Sequence, residues 1–185
     1  MTSDIPRLLQ EARAAIGEAG LECAVIGGCA VNAYAEPRAT KDVDFVVEVD
    51  DERHRLLVAA LDARRFWRAS AVGDGGGVPD LALYRDEAGR RVDFLFAHTA
   101  FEQSALARSE LRQPYAGVEL AVVSPEDLIV YKLVADREQD RADIAALRRA
   151  LAADGRAIDW SYVERWADVW EIRERLERIR TGALE

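Results

Sequence analysis

The chain divides into short apolar runs and longer stretches in which apolar residues return every three or four positions. Leu8, Leu9, Ala12, Ala15 and Ile16 follow the second pattern, which marks the buried face of a helix. Ser3-Asp4 with Pro6 supplies its start and Gly20 its stop. Short polar side chains satisfy the free N–H groups, proline fits the first turn and glycine tolerates the left-handed exit. Glu22–Ile26 reads as a short buried strand, Gly28–Ala35 as a short helix ended by Glu36-Pro37, and Lys41–Val49 as a second strand. Asp50-Asp51 caps a helix through Arg65, with Leu56, Leu57, Ala60 and Leu61 turned inward. Asp80–Arg85 and Arg91–Ala97 predict a hairpin turning at Glu87-Ala88-Gly89. Ala100–Leu111 predicts a helix and Val118–Val123 the last strand.

Ser124-Pro125-Glu126-Asp127 joins a capping serine, a proline at the first helical position and an acid three residues on. That is a strong start for a helix reaching Asp136. From Asp159, residues Trp160, Val163, Trp166, Ala167, Trp170 and Leu176 form the apolar stripe of one closing helix, read as core packing. Strands alternating with helices, followed by helices alone, predict an α/β (α+β) architecture. A small mixed sheet flanked by helices occupies residues 1–123, and a helical C-terminal subdomain, 124–185, packs on it.

Composition changes this picture in three places. The net charge of −9, from 25 basic and 34 acidic residues, excludes a surface that coats nucleic acid generally but leaves room for a local basic groove. No apolar run approaches the roughly 20 residues of a membrane span, and the acidic N-terminus lacks a signal-type apolar segment. Both predict a cytoplasmic chain without a membrane partner. Only Lys41 and Lys132 are lysine among the basic residues, which singles them out as compact point charges in an arginine-rich chain. Cys23 and Cys29 make neither a disulfide framework nor a metal spacing, and His54 and His98 lack a partner ligand at useful spacing. The glycine-rich segment 73–77 lacks the Lys-Ser/Thr ending of a P-loop and reads as a linker or mobile rim.

The chemistry concentrates between Gly27 and Asp44, GGCAVNAYAEPRATKDVD. Side chains alternate along a strand, so Asp42 and Asp44 share a face with Cα atoms roughly 7 Å apart. Two carboxylates side by side repel by about 4 kcal/mol at 4 Å and an effective dielectric near 20; a cation removes that cost, and hard oxygen ligands suit Mg²⁺. Gly27 and Gly28 have no Cβ, which lets a phosphate approach a backbone whose N–H groups point forward. Asp93, an acid among apolar neighbours, needs a partner: an arginine, Arg91 or Arg38, or a third place in the acid cluster.

Gly27-Gly28 followed by Arg38-x-Thr40-x-Asp42-x-Asp44 resembles the signature of the DNA-polymerase-β-like nucleotidyltransferases. The likeness is to the small bacterial branch with abortive-infection toxins and lincosamide-type adenylyltransferases. The resemblance implies an Mg²⁺-dependent enzyme that moves an NMP from an NTP to a hydroxyl acceptor and releases pyrophosphate. It makes Asp93 the third carboxylate and implies two Mg²⁺ ions held by Asp42, Asp44 and Asp93. The triphosphate would lie against Gly27, Gly28 and Lys132, with Arg38, Thr40 and Lys41 in the adjoining loop. Arg137, Asp140 and Asp143 are expected to brace Lys132. A tRNA end, a protein or a small antibiotic are the acceptors the branch allows, with a toxin role and an antitoxin partner or homodimer among its forms. The alternative is a non-catalytic module that keeps the fold as an antitoxin or nucleotide sensor. A two-metal phosphohydrolase would want histidine ligands that this chain does not offer.

Overall fold

The chain runs α1 (Ile5–Glu18), β1 (Cys23–Ile26), α2 (Gly27–Val31), β2 (Asp42–Val47), α3 (Asp51–Ala63), β3 (Trp67–Val72), β4 (Leu81–Arg85), β5 (Arg91–Phe96), α4 (Ala100–Ala107), β6 (Glu110–Tyr115), β7 (Val118–Val122), α5 (Pro125–Ala135), α6 (Glu138–Ala153), α7 (Trp160–Val169) and α8 (Arg173–Arg180). This computed structural model describes residues 4–73 and 77–181. Residues 74–76 of the glycine-rich segment and Ser3 lie outside the described residues.

The seven strands form one mixed sheet in the order β3-β4-β5-β2-β1-β7-β6. β1 runs antiparallel to β2, pairing Ile26 with Asp44. β2 runs parallel to β5, pairing Asp44 with Asp93. The two-residue alternation decides what each face carries. Val43, Phe45, Val92, Phe94 and Phe96 are fully buried on one side, with Phe45 and Phe94 stacked at 6.2 Å between ring centroids. Asp42, Asp44, Arg91 and Asp93 therefore project from the other. Burying two large aromatic rings fixes the register, because a one-residue slip would bring the acids into the core.

The expected mixed α/β architecture is present, with a wider sheet than the sequence predicts. Two edge strands have no counterpart in the sequence pattern. β3 is exposed along nearly all its length, so pairing with β4 holds it without an apolar pattern that could announce it. β6 begins within the stretch that the sequence pattern gives to the preceding helix, and α4 ends at Ala107. Leu111 is 69% exposed there, so it belongs to no buried helical stripe. Pro114 lies where the β6–β7 register shifts, between Arg112 and Tyr115, and an edge strand tolerates the missing donor. The C-terminal stripe is broken as well: Trp170–Ile172 separates α7 from α8, and Glu171 takes a left-handed φ of 55°. α2 is also shorter than expected, ending at Val31.

Candidate active site

The carboxylates of Asp42, Asp44 and Asp93 bring oxygens within 4.8 Å of one another, forming a group able to hold a metal ion. Two are carried by β2 and the third by its parallel neighbour, level with Asp44. Burial pushes the Asp44 carboxyl up to about 7, with Asp42 and then Asp93 adding repulsion. Burial also pushes Asp93 up to about 6, and the nearby Arg91 guanidinium partly offsets it. Such shifts mark carboxylates whose negative charge is incompletely compensated. The donor set is all carboxylate oxygen, which fits a hard divalent cation such as Mg²⁺.

Arg91 stands inside this group. Its Nη2 pairs closely with Asp42, and its Nε lies 3.2 Å from Asp93 Oδ1 without the alignment of a hydrogen bond. The two fates considered for Asp93 thus coexist, since it faces both an arginine and the other acids. Arg91 is two residues before Asp93, so the alternation that placed the acids also aims Arg91 at them.

The glycine turn is built around Asp44. Gly27 has a φ of +65°, and a Cβ there would collide with the Asp44 carboxylate. A Cβ on Gly28 would come within 2.8 Å of Thr40 Oγ1 and 3.2 Å of an Arg38 nitrogen. Sequence reasoning gave these glycines to an approaching phosphate; the acid and the Arg38–Thr40 loop already need their bareness. Thr40 Oγ1 donates to the Asp42 backbone oxygen at 3.2 Å. Asn32 clamps the loop from below: its side chain donates to the Arg38 carbonyl at 2.9 Å and accepts from the Arg38 N–H at 3.0 Å. Nothing in the sequence signals Asn32, which falls inside the expected helix and comes free for this role only because α2 ends at Val31.

Opposite the acids, α5 and α6 supply a second charged group. Lys132 is buried, with Nζ 2.8 Å from both Asp140 and Asp143. Arg38 closes a two-bond fork on Asp143, 2.6 Å on each arm, and Arg137 holds Asp140 at 2.6 Å. The carboxyls of Asp140 and Asp143 lie below their ordinary range: burial pushes them up, and these cations more than reverse it. Asp140 and Asp143 do brace Lys132, and in doing so they share its charge. Lys41 is exposed at the mouth and has no ion-pair partner among the described residues.

A cleft of about 500 Å³ lies between the two groups. Gly27, Gly28, Arg38, Thr40, Lys41, Asp42, Asp44, Asp93 and Lys132 all line it, joined by Arg91, Tyr131, Arg137 and Asp140. The three acids, the two glycines, the loop residues Arg38, Thr40 and Lys41, and Lys132 therefore face one space, of a size that takes a small molecule. No described helix is long and apolar enough to cross a membrane.

The fold is similar to that of ANT(2")-Ia in complex with adenylyl-2"-tobramycin, at 20% identity over 94% of this chain and 99% of that one, with a TM-score of 0.60. It is similar to lincomycin-bound LnuA, a lincosamide antibiotic adenylyltransferase, at 13% identity, 80% and 97% coverage and a TM-score of 0.58. An antigenic nucleotidyltransferase-like protein from Paracoccidioides brasiliensis gives 16% identity, 97% and 93% coverage and a TM-score of 0.55. At such identities these are likenesses of fold. No curated protein matches the sequence. Residues 4–180 match the family described as "Nucleotidyltransferase of unknown function (DUF6036)", and the chain belongs to that nucleotidyltransferase family.

Proposed function

We propose that this protein transfers a nucleoside monophosphate from an NTP to a hydroxyl acceptor, with Mg²⁺ held by Asp42, Asp44 and Asp93 and with release of pyrophosphate. The convergence of those three carboxylates within 4.8 Å carries the reading. Bound Mg²⁺ would supply charge neutralisation at the phosphoryl oxygens. The chain's own residues do the rest. Lys41, at the mouth, and Arg38 and Arg137, whose carboxylate partners leave part of each guanidinium free, attract the triphosphate. Lys132 adds positive potential from the wall behind them. Gly27 and Gly28 keep the floor of the cleft low. Asp93 accepts the proton of the acceptor hydroxyl on a carboxylate oxygen.

The structural neighbours that act on antibiotics support a hydroxyl-bearing small molecule as one acceptor class. The test is incubation with each of the four α-labelled NTPs, Mg²⁺ and a cell extract or an antibiotic panel. Label in an antibiotic marks a resistance enzyme; label in RNA or protein marks a toxin-type transferase. Absence of both label and pyrophosphate with every NTP would sink the transfer reading. Arg91, already paired with two of the acids, favours a second reading, a nucleotide-binding module without transfer. In that case Mg²⁺–NTP raises the melting temperature while no pyrophosphate appears.

A further inference from the structure

α6 serves two cavities. Its first turn, with Gln139 and Asp140, borders the cleft described above. Its later turns and the segment leading into α7 border a second cavity of about 510 Å³, lined by Arg148, Arg149, Arg156, Ile158 and Trp160 together with two alanines. Nine residues separate Asp140 from Arg149, about 14 Å along a helix. The two spaces differ in charge. Acids dominate one wall of the first cleft, whereas no acid lines the second.

The three arginines of the second cavity are also uncompensated. Among the described residues none of them pairs with a carboxylate, although most arginines of this acidic chain do. Arg148 donates from Nη1 to the Ile179 carbonyl at 2.8 Å, and its guanidinium lies 5.7 Å from the centroid of the Trp160 ring. Those contacts hold one cation in place at the wall, while Arg149 and Arg156 remain exposed. Three guanidiniums facing one space repel each other until an anion with several oxygens joins them, and phosphate suits the guanidinium fork. The volume exceeds what a single phosphate fills and matches that of nucleotide-sized sites. Ile158, Trp160 and the alanines offer an apolar wall for a base or sugar.

We infer that this second cavity binds a phosphorylated nucleoside, with its phosphate oxygens on Arg148, Arg149 and Arg156. The chemistry is shared by a free nucleotide and by single-stranded RNA. The inference does not depend on nucleotidyl transfer, so binding is read without divalent cation. A fluorescein-labelled single-stranded RNA octamer is titrated by anisotropy, with ATP and inorganic phosphate as competitors. Arg149→Glu/Arg156→Glu should weaken RNA binding at least tenfold. A control with the same charge change, Arg55→Glu/Arg165→Glu, should stay within threefold. Competition by ATP at comparable concentration assigns the site to nucleotides in general; RNA binding that ATP does not displace assigns it to the phosphodiester chain. Equal loss in both charge-reversed proteins would reduce the effect to net charge and overturn the site. Unchanged binding in Arg149→Glu/Arg156→Glu, no RNA or ATP binding by native protein, or phosphate competing as well as ATP would each overturn it too. If charge reversal unfolds the protein, Arg149→Gln/Arg156→Gln must show the same direction, by at least threefold.

Discussion

Two groups of aspartates face each other across the main cleft, and their electrostatic states are opposite. Asp140 and Asp143 are matched by Lys132, Arg38 and Arg137, and both carboxyls are held below their ordinary range. Asp42, Asp44 and Asp93 share one partly exposed arginine, and Asp44 and Asp93 are pushed up to about 7 and about 6. The first group is complete within the chain. The second is left short of positive charge in a cleft, a set of carboxylates that could hold a metal ion. Residue type is the same in the two groups, and the brace is the more deeply buried of the two; the count of opposing charges separates it from the site.

The same substitution in each group should therefore give contrasting results. Asp44→Asn is expected to lower nucleotidyl transfer at least 10³-fold, about 4 kcal/mol of barrier, with melting temperature unchanged or raised. Asp143→Asn leaves Lys132 and Arg38 short of a buried partner and should cost about 3 kcal/mol of stability, roughly 10 °C in melting temperature for a chain of this length. Parallel kinetics and thermal melts on the two variants read both effects. Equal destabilisation by both would break the distinction.

A pH series sharpens it. The raised carboxyls of Asp44 and Asp93 favour the proton in the folded state. Their contribution is fully present below the unfolded carboxylate value of about 4 and is lost as pH rises through 6 and 7. The lowered pair, Asp140 and Asp143, contributes above about 4 and is lost as pH falls through their folded values. Mg²⁺ should thus stabilise the protein more at pH 8 than at pH 5.5, by roughly 1–2 kcal/mol once solvent screening is allowed for. A melting-temperature gain that is independent of pH would mean that the cation does not bind these acids.

Arg91 tests the charge count from the other side. It competes for Asp42 and Asp93, so Arg91→Ala should tighten Mn²⁺ binding in the absence of NTP by about threefold to tenfold, within the range of a partly screened ion pair. Electron paramagnetic resonance of free Mn²⁺ measures it, and weaker binding would make Arg91 a support of the site. The smallest effect belongs to Lys41, exposed and without an ion-pair partner among the described residues. Lys41→Ala should raise the KM for NTP about threefold and leave kcat unchanged, the scale of one solvated charge.

The sequence carried most of the acid group because its information is local. Alternation along β2 and β5 sets Asp42, Asp44, Arg91 and Asp93 on one face, and the strand order brings the two strands together. Helix caps at Asp50 and Ser124 are equally readable, and each side chain accepts from N–H groups of its helix's first turn. β3 and β6 are not, because an edge strand is held by backbone pairing and needs no buried pattern. The break at Trp170–Ile172 escaped for a different reason: Glu171 adopts φ > 0 with neither glycine nor proline to signal it. Lys132 lines the cleft, and the expected brace of Asp140 and Asp143 is there; only packing reveals how deeply it is buried between them.

The parallel pairing of β2 with β5 also governs when the site comes into being during synthesis. A nascent chain that ends before Arg91 holds Asp42 and Asp44 but has neither the third acid nor the strand beside them. Joining the two strands closes a loop of about fifty residues, an entropic cost that rises only slowly with length but must be met before the contacts return it. β3 and β4 lie within that loop and extend the sheet from β5 outward. The three-acid group is therefore a product of long-range closure, and a nascent chain cannot assemble it until β5 has left the ribosome and docked.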